Sequence, residues 1–181
     1  MVYVFLADGF EEIEALTPVD LLRRAGVEVR TVSIYNDRKN VTGARKIEVV
    51  ADAVLNESDY DDADILVLPG GMPGTVNLLE CAALMDIVDR QNAKGGRVAA
   101  ICAAPARILG SRGLLDGKMA TCYPGLEEMM KGATPVIKTV VTDGNITTSR
   151  GLGTAVDLAC ELITLLCGQE KSDEIRKSVV A

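Results

Sequence analysis

Cys102 is the residue whose position most strongly suggests chemistry. It lies between Ala100 and Ala104, where an apolar, strand-forming run meets a helix-forming segment. In a nucleophile elbow, small residues two positions to either side permit a sharp turn that exposes the nucleophile above the sheet. A thiol at a helix N-terminus also has its thiolate stabilised by backbone N–H groups, which lowers its pKa below about 8.5. We therefore predict a reactive cysteine; the alternative is a buried cysteine that packs as a small hydrophobe.

Glu14 is the second candidate for a chemical role. On a helix it shares a face with apolar residues such as Pro18 and Leu21, so its carboxyl group should be partly desolvated. Desolvation favours the neutral form, which suits a proton donor or acceptor working near neutral pH. The alternative is an acid that complements the helix dipole, an interpretation that accounts well for Glu11 and Glu12. For Glu14 both interpretations stay open.

Two glycine-rich segments offer backbone donors. Gly70 and Gly71 follow a short apolar run, and their N–H groups are free of side-chain obstruction, as an oxyanion site requires. A plain turn is the alternative, and a phosphate loop is disfavoured because the lysine and hydroxyl residue of that motif are missing. The segment 151–153 either cradles an anion or starts a helix.

The elements around these residues alternate between strands and helices. We predict strands at 2–7, 27–34, 65–68, 97–101 and 119–122, hairpins at 41–50 and 136–148, and helices at about 11–25, 76–93, 105–109, 155–166 and 170–180. This alternation predicts an α/β fold with a parallel sheet covered by helices on both faces. Sites in such sheets gather beyond the carboxyl ends of strands. The turns at 7–9, 69–71 and 102–104 should therefore meet there.

Composition limits the class of protein. The chain has 181 residues, 48% of them hydrophobic, which fits one compact domain over residues 1–181. A net charge of −7 argues against nucleic acid or an anionic membrane as the main partner, because both need a positive surface. With no long apolar run and no signal-like start, we expect a cytoplasmic protein. Five scattered cysteines and no histidine argue against a metal site or a disulfide framework.

Four ordered segments resemble the ThiJ/PfpI superfamily, and specifically its DJ-one branch. They are residues 7–14 (ADGFEEIE), 68–71 (LPGG), 99–105 (AAICAAP) and 148–154 (TSRGLGT). The match covers nearly the whole chain, and four such motifs in this order are specific. The resemblance implies a flavodoxin-like three-layer sandwich with a mostly parallel central sheet, and it implies a homodimer.

The resemblance also implies roles for individual residues. Cys102 becomes the nucleophile and redox centre, and Glu14 becomes its protonated acid/base partner. The backbone N–H groups of Gly71 and Ala103 would receive the oxyanion. Arg45 resembles a family arginine that reaches the partner subunit's site across the dimer. The family's activities are conversion of methylglyoxal to lactate without a cofactor, removal of early glycation adducts and protection against oxidative stress, so we expect a small aldehyde or a glycated substrate.

At two positions the chain lacks a histidine that members of the superfamily carry, and this excludes some reactions. Tyr123 stands where many members carry a histidine near the cysteine, and Ala103 stands where the peptidase branch has one. Any mechanism that needs imidazole is excluded, which disfavours proteolysis and amidotransferase chemistry. Glu14 must then move protons alone or with water. Two functions stay open: an enzyme acting on aldehydes, and a non-catalytic redox sensor or chaperone in which oxidation of Cys102 is the switch.

Overall fold

The computed structural model describes all 181 residues as a mixed α/β chain. The strands are β1 (Val2–Leu6), β2 (Val29–Ser33), β3 (Asn40–Thr42), β4 (Glu48–Val50), β5 (Ala53–Val54), β6 (Ile65–Leu68), β7 (Arg97–Ile101), β8 (Met119–Ala120), β9 (Thr134–Pro135), β10 (Val140–Asp143) and β11 (Ile146–Ser149). The helices are α1 (Glu12–Arg24), α2 (Gly74–Glu80), α3 (Ala82–Ala93), α4 (Ala155–Cys167) and α5 (Gln169–Ser178). None of these helices combines the length and the apolar character that a transmembrane span requires.

Seven strands form the main sheet in the order β10-β11-β7-β6-β1-β2-β5. All neighbours are parallel except β10 and β11, which form an antiparallel hairpin. The run β2-β1-β6-β7-β11 has the 2-1-3-4-5 order of flavodoxin-like folds, so the expected fold class is confirmed. After β1, the chain places β2 on one side of β1 and then β6 on its other side, so the strand order reverses between β1 and β6. Ligands bind such sheets at the carboxyl ends of the strands that flank this reversal.

Helices cover both faces of the sheet. On β1, Tyr3 and Phe5 face one apolar core, and Val4 and Leu6 face the other. The first core includes residues of α2 and α3, and the second includes residues of α1 and α4. Strands buried on both sides are apolar at every position, which is why β6 reads ILVL without alternation.

Several predicted boundaries differ from the structure. The helix predicted at 76–93 begins earlier and is two helices, because Cys81 has an extended backbone (φ −78°, ψ 93°) between α2 and α3. The strand predicted at 119–122 ends at Ala120 and pairs with β9 outside the main sheet. Beyond Ala120, the Thr121 N–H donates to the Thr148 side-chain hydroxyl and not to a backbone carbonyl of a neighbouring strand. The hairpins β3–β4 and β10–β11 are present where predicted, except that β3 begins one residue earlier, at Asn40, and β11 ends one residue later, at Ser149.

Candidate active site

Cys102 lies on a sharp turn directly after β7. Its φ of 65° is in the left-handed region, which non-glycine residues adopt uncommonly. Its backbone N–H donates to the Ser149 carbonyl at 2.9 Å, and its carbonyl accepts the Tyr123 N–H at 2.8 Å. Strain of this kind persists where surrounding bonds hold the residue in place, and it concentrates at functional sites. The side chain is partly exposed, and the predicted elbow geometry is present.

Small residues make room for this turn. Ala100 and Ala104 are both fully buried on either side of the elbow. At Gly70, across from the elbow, an added Cβ would collide with the Glu14 carboxylate and with the Cβ of Cys102. Gly70 is therefore needed for close packing, a role that the sequence did not reveal.

Glu14 is held in the first turn of α1 beneath the cysteine. The Glu11 side chain caps the helix by accepting the Glu14 N–H at 2.8 Å. The Glu14 side chain is 1% exposed, which confirms the burial expected from its apolar helix face. Its Oε2 accepts the Gly70 N–H at 3.1 Å, and the Cys102 thiol and the Leu152 N–H lie close enough to the carboxyl group to act on its pKa.

The two side chains perturb each other's ionisation. Burial raises the pKa of Glu14 to about 7, although hydrogen bonds from the Cys102 thiol and from backbone N–H groups act in the opposite direction. Burial and the negative charge of Glu14 together raise the pKa of Cys102 to about 12. The predicted lowering of the thiol pKa is therefore wrong. Protonation of Glu14 removes the charge repulsion but leaves the effect of burial, which is the larger cause of the raised pKa.

Two backbone donors face the sulfur. The N–H groups of Ala103 and Gly71 lie close enough to Cys102 Sγ to act to lower the pKa of the thiol. Gly71 has a φ of 93°, and a Cβ there would collide with the backbone of Gly9 and Glu11, so the tight turn requires glycine. Both residues expected to supply an oxyanion site are thus beside the thiol.

Gly151 and Tyr123 lie beside the mouth of the site. A Cβ built on Gly151 would be 3.5 Å from Tyr123 Cδ2, 3.8 Å from Glu14 Oε1 and 4.0 Å from Cys102 Sγ. The 151–153 segment starts a short helical turn over Leu152–Thr154, as one of its two interpretations predicted, and the Leu152 N–H acts to lower the pKa of Glu14. Tyr123 is 52% exposed.

Arg45 lies in the β3–β4 turn and is exposed. Its side chain forms no hydrogen bond or ion pair within the chain, whereas its backbone N–H donates to Glu12 Oε1 at 2.6 Å. Glu12 is only 3% exposed. The dipole interpretation of Glu12 is therefore incomplete, because its side chain is also buried against the β3–β4 turn. The pattern gave no signal for this contact, because the turn is some 33 residues away in sequence.

The remaining cysteines have different surroundings. Cys122 and Cys160 are buried, Cys81 is partly exposed and Cys167 is exposed; all are free thiols. Burial raises the pKa of Cys122 to about 11. Among the histidine, cysteine, aspartate and glutamate side chains, no group of three is arranged to hold a metal ion.

Comparison with known proteins identifies the family. The model of the DJ-1/PfpI family matches residues 1–165. The chain belongs to the DJ-1/PfpI family. The resemblance read from four sequence motifs is therefore confirmed.

Individual DJ-1 relatives support this placement. The chain is 42% identical over 176 residues to Protein DJ-1 homolog A of Arabidopsis thaliana, covering 96% of this chain but 45% of that longer protein. It is 30% identical over 168 residues to the glutathione-independent glyoxalase DJR-1.2 of Caenorhabditis elegans, covering 92% and 88% of the two chains. The structure of oxidized Toxoplasma gondii DJ-1 is similar at a TM-score of 0.94 and 35% identity, covering 99% of this chain and 97% of that one.

Proposed function

We propose that this DJ-1 protein is a cysteine-dependent enzyme that needs no cofactor and acts on reactive aldehydes such as methylglyoxal or on their glycation adducts. The observation that carries the proposal is the Cys102 thiol beside a buried Glu14 carboxyl group whose pKa is raised to about 7. A group with that pKa exchanges protons readily near neutral pH. The glyoxalase named among the relatives supports this reaction class.

The proposed reaction begins with attack of Cys102 Sγ on the aldehyde carbon of methylglyoxal. The C–S bond forms while the thiol proton passes to the ionised Glu14 carboxylate, and the carbonyl oxygen becomes an oxyanion that the Gly71 and Ala103 N–H groups stabilise. Glu14 returns this proton to the oxyanion, which gives a hemithioacetal. The regenerated carboxylate then removes the proton from the former aldehyde carbon while water protonates the neighbouring carbonyl oxygen, which gives an enediol. Glu14 delivers its proton to the neighbouring carbon, and the hydroxyl on the sulfur-bearing carbon loses its proton to water and becomes the thioester carbonyl. The first carbon is oxidised and the second reduced, so no external oxidant is needed. Water hydrolyses the resulting lactoyl thioester, releasing lactate and the thiol.

Methylglyoxal consumption and lactate formation test this proposal. Cys102→Ser should give no lactate above the uncatalysed rate. Glu14→Gln should lower kcat by about 10²–10⁴-fold, because an amide neither donates nor accepts the proton. Cys167→Ser is the matched control, since Cys167 is an exposed thiol outside the site and its loss should leave the rate unchanged. Equal rates for wild type and Cys102→Ser would refute the enzyme.

Oxidation of Cys102 as a switch is the second candidate function. It is favoured by the two backbone N–H groups at Sγ, which would also stabilise the oxygens of a sulfinate. Mass spectrometry after graded peroxide treatment tests it. Cys102 should gain oxygen before the exposed Cys167 does, and the reverse order would exclude a selective sensor.

We also propose a homodimer in which Arg45 of each subunit approaches the other subunit's site. The exposed, unpaired Arg45 supports this, as do the exposed apolar side chains of Ile13 on α1 and of Ile47 and Val50 near and on β4. Sedimentation equilibrium should report twice the chain mass of 19.2 kDa. A monomer at micromolar concentration would count against the dimer.

A further inference from the structure

Two hydroxyl groups, of Thr154 and Ser149, hold the segment that lies beside the mouth of the site. The Thr154 N–H donates to the Gly151 carbonyl at 2.8 Å, and the Gly151 N–H donates back to Thr154 Oγ1 at 3.1 Å. Thr154 Oγ1 is also 2.7 Å from Ser149 Oγ, which donates to the Thr139 carbonyl at 2.9 Å. The short helical turn is therefore closed on itself and tied to Ser149.

The protons of the two hydroxyl groups can be assigned from their partners. A hydroxyl group donates once and can accept twice. Ser149 gives its proton to the Thr139 carbonyl, so Ser149 Oγ is free to accept the proton of Thr154. Thr154 Oγ1 also lies 2.9 Å from the Gly151 carbonyl, but that carbonyl already accepts the Thr154 N–H. Every group then has a partner, as a rigid network requires.

The other end of this network is the elbow itself. Ser149 is fully buried at the end of β11, where it pairs with Ile101 of β7. Its carbonyl accepts the Cys102 N–H at 2.9 Å. The residue that fixes the backbone of the nucleophile therefore also holds the hydroxyl group of Thr154.

The segment held in this way faces the Glu14 carboxyl group. A Cβ built on Gly151 would be 3.8 Å from Glu14 Oε1 and 4.0 Å from Cys102 Sγ, so the main chain of Gly151 lines the site directly. The next residue, Leu152, presents its N–H to Glu14 and acts to lower the pKa of that carboxyl group. A shift of the segment would change the surroundings of Glu14 without changing any charge.

The groups that act on Glu14 come from three other places. The Cys102 thiol after β7 and the Glu11 carboxyl group at the start of α1 are the titratable groups that influence it. The Gly70 N–H after β6 donates to its Oε2 at 3.1 Å. None of these groups is altered by removing a hydroxyl group from Thr154, so an effect of that change on Glu14 must pass through the segment.

We propose that Thr154 is a positioning residue whose hydroxyl group, held by Ser149, fixes the main chain of Gly151 and Leu152 against the Glu14 carboxyl group. This rests on the proposed function, because it assigns Thr154 to the proton transfers of that same site. Thr154 acts through the segment and does not contact the reacting atoms.

The titration of Glu14 tests the proposal without any need for activity. The NMR signal of its carboxyl carbon, identified by its absence from Glu14→Gln, is followed against pH. Thr154→Val removes the hydroxyl group at nearly equal shape and should raise the Glu14 pKa by about half a unit or more, because the hydrogen bond from Leu152 to the ionised form is weakened. Thr154→Ser keeps the hydroxyl group and should titrate as wild type does. Thr164→Val removes a threonine hydroxyl group that bonds to the Cys160 carbonyl on α4, and as the control it should leave the Glu14 pKa in place.

A second variant covers the case in which Thr154→Val does not fold. Ser149→Ala removes the other hydroxyl group and keeps the main-chain bond to Cys102. It should raise the Glu14 pKa by a smaller amount, because Thr154 still accepts the Gly151 N–H. An unchanged Glu14 pKa in Thr154→Val, or in Ser149→Ala where only that variant folds, would overturn the proposal.

The pH profile of lactate formation tests the same role in the reaction. Since Glu14 acts in its ionised form, the low-pH limb of kcat for Thr154→Val should move to higher pH together with the Glu14 pKa. A shift of about half a unit lowers kcat about threefold below about pH 7 and changes it little above about pH 8. A limb that stays in place would overturn the positioning role. Absence of turnover in wild type would refute the proposed function instead, and the NMR titration would still decide whether Thr154 holds the segment against Glu14.

Discussion

Replacing Glu14 by glutamine should change how the stability of the protein depends on pH. The Glu14 pKa rises from its ordinary 4.5 to about 7 on folding because the carboxyl group is buried. At about 1.4 kcal/mol per unit, this corresponds to about 3 kcal/mol of stability that depends on the proton. The folded state binds the proton more tightly than the unfolded state. This contribution is therefore fully present below pH 4.5 and is lost as the pH rises through 7.

Glutamine has no such titration. The free energy of unfolding of Glu14→Gln minus that of wild type should therefore rise by about 3 kcal/mol between pH 4.5 and pH 8. Urea denaturation of both proteins at half-unit pH intervals measures this difference, in which the titration of all other groups cancels. A constant loss of packing or hydrogen bonding in the variant shifts the whole curve without changing its slope. A difference that is flat across this range would refute the burial argument for Glu14.

Three further substitutions have defined outcomes. Gly70→Ala should lower the free energy of unfolding by about 1–3 kcal/mol and abolish turnover, because the new Cβ collides with the Glu14 carboxylate. Urea denaturation measures the loss of stability, and the lactate assay measures the loss of turnover. Leu22→Ala, at a fully buried position of α1, should cost about 2–5 kcal/mol in the same melts, and a smaller loss would mean that the core closes around the gap. Arg38→Met should cost at most about 1 kcal/mol despite the 2.6 Å contact with Asp8, because both side chains are 39% exposed; thermal denaturation at low and high salt checks this.

The central strands could be predicted well from the sequence because strands that are buried on both faces appear as continuous apolar runs. Both β6 and β7 have the predicted bounds, since continuous apolar runs ended by Pro69 or by the elbow leave little choice. The two-residue strand β5 was not predicted, because two residues are too few to show a period. The break at Cys81 was missed for a different reason: neither glycine nor proline marks it.

The sequence pointed to Cys102 and Glu14 as site residues, but it did not predict the raised pKa of the thiol. Cys102 and Glu14 were found from small neighbours and an apolar helix face, which are local patterns. The raised thiol pKa depends on the charge of Glu14 across space, and the burial of Glu12 depends on a turn far along the chain. Sequence spacing carries no information about either distance.

The left-handed backbone at Cys102 also limits which side chains can occupy this position. Asparagine, aspartate and glycine tolerate such a φ, and serine keeps an unbranched Cβ, so all four can be installed with modest backbone cost. Threonine and valine branch at Cβ and are strongly disfavoured there. The turn therefore restricts which nucleophile can occupy this position. The secondary alcohol of threonine is disfavoured by the backbone conformation, whatever its reactivity. Any redesign of this scaffold toward oxygen nucleophiles must begin with serine or rebuild the elbow.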